Sequence, residues 1–186
     1  GVQDQIAGSV LHRLAGLPAA EAKGVVMLND GVNLYGSRLY AHLEPLGTEF
    51  VENQFPDDNG GNLYKGRRSN ESPPGGGGAG LRYLGPDPGP YVSYTKLTNE
   101  SEADWSDVID LTYRLNRTSD EDYLDAIGEV VDIDQWLRFI GMTALLDNNE
   151  GGLSLGDPQG DDYAMYRGVE DQRFRLIPHD LDPLFG

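Results

Sequence analysis

Residues 66 to 90 read GRRSNESPPGGGGAGLRYLGPDPGP, a stretch too rich in glycine and proline to sustain a helix or a strand. It divides the chain into two blocks of regular structure and predicts a mobile surface loop between them, with few buried contacts and removable without loss of the fold. Its four successive glycines do not make a nucleotide loop. A phosphate cradle needs spaced glycines between a strand and a helix, followed by Lys-Ser or Lys-Thr, and that context is missing.

Ahead of the loop, Ile6, Val10, Leu11 and Leu14 recur at the spacing of an amphipathic helix, which ends at Gly16-Leu17-Pro18. The continuous apolar run Val25 to Leu28 predicts a buried strand. The turn Asn29-Asp30-Gly31 then joins it in a hairpin to the alternating segment from Asn33 to Glu44. A short helix within Pro45 to Gln54 and a short extended segment from Asn62 to Lys65 complete this block. Behind the loop, helices are expected over Ser101–Asn116, Ser119–Glu129 and Asp132–Leu146, the last two with capping residues at their starts. Ile133, Trp136, Leu137, Ile140, Ala144 and Leu145 give the last helix a wide apolar face, predicted to lie in the core. Two strands, DYAMYR and RFRLIP, close the chain. Helix, hairpin, loop, helices and hairpin in that order make an α+β arrangement in one domain spanning residues 1–186.

With 31 acidic against 14 basic residues the net charge is −17, so a nucleic-acid backbone would be repelled from most of the surface. No apolar run approaches the ~20 residues of a membrane-spanning helix. Cysteine is absent, which excludes disulfides, thiolate metal sites and a cysteine nucleophile. The chain lacks an initiator methionine and stops directly after a motif with functional character, so a piece of a larger protein is expected.

That motif is RFRLIPHDLDPLFG, an apolar strand ending in two aspartates one residue apart. Asp180 and Asp182 so close together repel unless a cation intervenes or one stays protonated. On residue chemistry alone, capping of the turn before Pro183 explains them equally well. The strand ending Ile-Pro, then His, Asp-x-Asp and Phe-Gly is similar to the pattern of the CotH family of atypical protein kinases. So are the tyrosine-rich strand Asp162–Tyr166, Gly61-Asn62-Leu63-Tyr64-Lys65, Tyr94–Asn99 and Val131–Leu137, in that family's order.

The resemblance implies a partial kinase-like fold without the N-terminal strands, ATP and Mg2+ as cofactors, and phosphoryl transfer to serine or threonine of a coat or secreted protein. Phosphoryl transfer rests on charge neutralisation and positioning, so carboxylates must hold magnesium against the phosphates. Asp180, Asp182 and Asn149 are the metal candidates, expected to share one pocket with Asp147, the catalytic candidate that orients the acceptor hydroxyl and takes its proton. Helix C-capping is the alternative for Asp147 and Asn148. Glu44 matches a hinge-like position near adenine or is a strand-end glutamate, and Lys65 contacts phosphate or closes a strand. The principal phosphate-binding Lys or Arg is expected upstream of Gly1. His179, where many family members carry tryptophan, reads as a packing residue.

A basic, serine-rich protein would suit the acidic surface as substrate, with a secreted, cell-envelope or spore-coat location. A scaffold that keeps the fold without catalysis is one alternative. A calcium-stabilised matrix module, suggested by DNNEGG and GDPQGDD, is the other.

Overall fold

The structure, a computed structural model, describes residues 1–33, 36, 38–148, 153 and 160–185. Helix α1 (Val2–Leu14) leads into strands β1 (Ala22–Val26) and β2 (Leu39–Leu43), helix α2 (Thr48–Gln54) and strand β3 (Asn62–Gly66). Strand β4 (Tyr94–Lys96), helices α3 (Ser106–Arg117), α4 (Tyr123–Gly128) and α5 (Ile133–Leu145), and strands β5 (Tyr163–Arg167) and β6 (Arg175–Pro178) follow.

β1 and β2 form a separate antiparallel hairpin, Ala22 opposite Leu43 and Val26 opposite Leu39. Asp30 and Gly31 both take positive φ, 49° and 77°, the backbone sense a tight hairpin turn requires. Asn29 and Val32 exchange both backbone hydrogen bonds across it. The hairpin lies on the surface: Val26, Met27 and Leu28 are 46%, 43% and 61% exposed. The expected burial of this strand is therefore corrected: β1 follows the pattern of a surface hairpin, with half-buried and exposed residues along it and none fully buried.

The other sheet has the order β4-β3-β5-β6, antiparallel throughout. Side chains alternate along each strand. Tyr64, Tyr163, Met165 and Leu176 pack on one face against Tyr91, Val108, Leu111 and Phe139, and Leu63, Ala164, Tyr166 and Ile177 pack on the other against Phe50, Val51 and Phe55. Both faces are covered, so Tyr163–Tyr166 of β5 and Leu176–Pro178 of β6 are buried without alternation. β6 is the edge strand, and α5 closes it: Gln135 donates Nε2 to the Leu176 carbonyl (2.7 Å) and accepts the Leu176 N–H at Oε1 (2.8 Å). A buried amide thus stands in for a missing strand.

Two helix faces differ from expectation. On α5 the buried side chains are Gln135, Phe139 and Thr143, while Leu137, Ile140 and Leu145 are 63%, 40% and 76% exposed. On α1, Gln5, Gly8, Ser9 and His12 are buried, whereas Val10 and Leu14 face outward. Close approach decides the second case. A Cβ on Gly8 would lie 2.5 Å from Leu184 and 3.0 Å from Leu181, so only the glycine side of α1 can seat against the segment that follows β6.

The expectation of few buried contacts across 66–90 is also corrected. Gly78 and Ala79 are buried. Tyr163 donates its hydroxyl to the Ala79 carbonyl, and the N–H groups of Leu81 and Leu84 donate to the hydroxyls of Tyr94 and Tyr91 at 2.8 Å each. Buried tyrosine hydroxyls need such partners. The backbone of an irregular segment supplies them here, so its glycines serve close packing.

Candidate functional site

β6 ends at Pro178, and the next residues turn sharply: Asp180 adopts φ 51°. Leu181 and Leu184 then bury themselves against Leu146 at the end of α5. Asp180 itself is exposed at the mouth of a cavity of about 300 Å³, where it accepts a hydrogen bond from Gln5 Nε2 (3.0 Å). Lys65 and Glu44 line the same cavity, with Ala20, Leu46, Leu97 and Pro178 forming apolar walls. Three sequence-predicted residues, drawn from β3, the end of β2 and the end of β6, therefore meet in one place.

The others do not join them there. Asp182 is exposed and outside the cavity lining, as expected of a residue two steps beyond Asp180 in a chain that has turned to bury Leu181 between them. Asp147 is exposed at the C-terminus of α5 with φ 51°, also outside the lining. Among the described residues, no group of three or more Asp, Glu or His side chains is placed to hold a metal. Of Asp147, Asp180 and Asp182, expected to share one pocket, only Asp180 lines this cavity, and Asn149 lies outside the described residues. Asp147 is still near the motif, because the Phe185 N–H donates to the Leu146 carbonyl (2.9 Å), tying the segment after Asp182 to the residue preceding Asp147.

Glu44 has structural partners: Oε2 accepts the Glu21 N–H (3.1 Å) and Oε1 accepts from Asn53 Nδ2 (2.9 Å). It fastens the hairpin to α2 at the cavity rim. His179 is the feature that sequence reasoning undervalued. Its Nδ1 is buried without a hydrogen-bond partner among the described residues, and the residue lines the same cavity. Burial, with a smaller contribution from the Lys65 ammonium, pushes its pKa down to about 4, so the ring is neutral at pH 7 and can accept or donate one bond. Gln5 was missed because a glutamine in a helix of unremarkable polarity carries no signal until its partner is known.

The neutral His179 makes stability depend on pH. Between about 6.5 and about 4 the unfolded chain binds a proton that the folded chain refuses, so stability falls as pH falls through this window. His12, also held neutral mainly by burial, acts in the same direction. Asp58 and Asp171 are held below the usual carboxylate range, so their contribution is lost chiefly at lower pH. Urea denaturation at pH 7 and pH 5 should show a smaller loss for His179→Gln than for the unmodified chain. An unchanged loss would sink the assignment.

The sheet, its flanking helices and a charged cavity at the strand ends define an α+β domain built around a small polar site. The chain matches the family profile described as CotH kinase protein across residues 4–186, and it belongs to that family. It is also similar to inner spore coat protein H of Bacillus subtilis (strain 168), 26% identical over 95 residues. That match covers 51% of this chain and 24% of the relative, so the chain spans only a part of the relative's length. No helix among the described residues is long and apolar enough to cross a membrane.

Proposed function

We propose that this domain is the catalytic part of a kinase-like protein that transfers the γ-phosphate of ATP to serine or threonine of a coat or secreted protein. The observation that carries this reading is the meeting of Asp180, Lys65 and His179 in one cavity with apolar walls. The lining suits a nucleotide: apolar surface for a base, the neutral His179 ring beside it, a cation for phosphate and a carboxylate for magnesium. Magnesium supplies charge neutralisation at the phosphates when bound. Asp180 would hold it, Gln5 orients Asp180, and Lys65 would offer its ammonium to phosphate oxygens. Asp147, beside the motif at the end of α5, orients the acceptor hydroxyl and accepts its proton.

Titration of ATP into the full-length protein with and without Mg2+ tests the reading, together with phosphate incorporation into basic serine-rich peptides. Binding that ignores magnesium, or no binding at all, would reject it. A non-catalytic scaffold, the reading favoured by the lack of a three-carboxylate cluster among the described residues, would give that second result. The spore-coat location follows from the relative and belongs to the same proposal. The calcium reading rests on segments mostly outside the described residues.

A further inference from the structure

A second cavity, of about 470 Å³, shares no lining residue with the first. It gathers Arg13 from α1, Arg138 from α5 and Arg175 from β6, with Asp132 as the one carboxylate among the described lining residues. In a chain with 14 basic residues and a net charge of −17, three guanidinium groups around one concavity stand out from the prevailing negative field.

Their local partners do not satisfy them. Asp132 is already committed: its Oδ1 caps α5 by accepting the Gln135 N–H (3.2 Å), and its Oδ2 accepts from Arg175 Nε (3.3 Å). Arg175 is fixed further by Asp171 (2.5 Å at Nη2) and by the Phe55 ring below it, while its Nη1 makes no hydrogen bond among the described residues. Arg13 reaches Glu21 only at 3.5 Å. Arg138 has no carboxylate partner among the described residues and only the carbonyls of Ala15 and Gly16, at 3.4 Å each. One arginine is thus pre-positioned and two exposed ones can close over a ligand. The described lining residues carry two more positive than negative charges, offset in part by Asp171 and Glu21 just outside, and the donors left over suit the three terminal oxygens of a phosphate monoester better than a single carboxylate.

We infer that this cavity is a binding site for a phosphorylated serine or threonine side chain of a protein segment. The planar guanidinium forks supply bidentate donors to phosphate oxygens, and the cavity is large enough for the ester's side chain as well. The site is independent of the nucleotide reading, since it uses none of the residues of the first cavity.

The test is calorimetric titration at low ionic strength of a phosphoserine peptide, its unphosphorylated form and inorganic phosphate. The unmodified protein is compared with Arg13→Gln, Arg138→Gln and Asp180→Asn. The phosphopeptide should bind and the unphosphorylated peptide should not, with each arginine change weakening binding about tenfold, the loss of one charge-assisted contact. Asp180→Asn should leave it unchanged, which separates failure of this site from failure of the nucleotide site. Both arginines are exposed, so circular dichroism should show intact variants. Absence of phosphopeptide binding, equal binding of the unphosphorylated peptide, or undiminished binding by both arginine variants would overturn the inference. Equal affinity for inorganic phosphate would overturn the assignment to a side-chain phosphate.

Discussion

In the full-length protein, Asp180→Asn is expected to eliminate magnesium-dependent ATP binding and, with it, phosphate incorporation. Asparagine keeps the size of the side chain and its capacity to accept the 3.0 Å hydrogen bond from Gln5, so the turn after β6 should survive. What disappears is the negative charge, and a hard divalent cation depends on charged oxygen ligands. Two companion changes sharpen the result. Gln5→Leu leaves the carboxylate but removes its orienting bond, and should weaken magnesium-dependent binding by about tenfold, the lower range for loss of a group that positions a ligand. Asp147→Asn should leave binding nearly intact while slowing transfer by about 100- to 10,000-fold, the usual contribution of a positioned proton acceptor. Measurement of Mg-ATP affinity and phosphate incorporation for all three separates holding the cation from receiving the proton. Full magnesium-dependent affinity in Asp180→Asn would remove Asp180 from the site, and equal loss of affinity in Asp147→Asn would make Asp147 part of the binding machinery instead.

The largest structural effect is expected at Gly61. A Cβ there would lie 2.1 Å from the Arg167 carbonyl oxygen, 2.7 Å from Gly168 Cα and 2.8 Å from the Tyr166 hydroxyl. Two of these obstacles are backbone, so neither can rotate away. The surrounding bonds also hold Gly61 in place: its N–H donates to the Tyr166 hydroxyl (3.0 Å) and its carbonyl accepts from Thr98 Oγ1 (2.8 Å). Gly61→Ala must push β3 from β5 at the start of their pairing, and a loss of about 3 kcal/mol is expected, the upper range for overpacking a rigid site. Gly141→Ala is the matched control. It lies within α5 with nothing near a new Cβ, and should stabilise the protein by up to about 1 kcal/mol through helix propensity. Chemical denaturation of both variants decides the matter, and a Gly61→Ala protein as stable as the unmodified one would refute the close approach.

These two glycines show where sequence reading succeeds and where it stops. The Asn29-Asp30-Gly31 turn, the cap Asp132 and the two closing strands are local events: backbone geometry, a side chain three residues away, or a run of apolar residues is enough to specify them. The hairpin, the order of helices and strands and the position of Asp180 at a strand end were therefore legible from the residues, and the family from four segments in order. Which face of a helix is buried depends on what arrives opposite it. α1 turns Gln5, Gly8, Ser9 and His12 inward because Leu181 and Leu184, more than 170 residues away in sequence, can approach only a glycine. α5 turns Gln135 inward because the edge of β6 needs a donor and an acceptor. The same reasoning governs the site. Asp180, Lys65 and Glu44 each carry a recognisable signal in their own segment, but the cavity they share, the support of Asp180 by Gln5, the orphaned nitrogen of His179 and the arginine-lined cavity exist only after distant segments pack. Asp182 belongs with Asp180 in sequence, yet only Asp180 lines the cavity, the chain having turned to bury Leu181 between them. Spacing along the chain determined which groups were available, and packing between segments decided which of them meet.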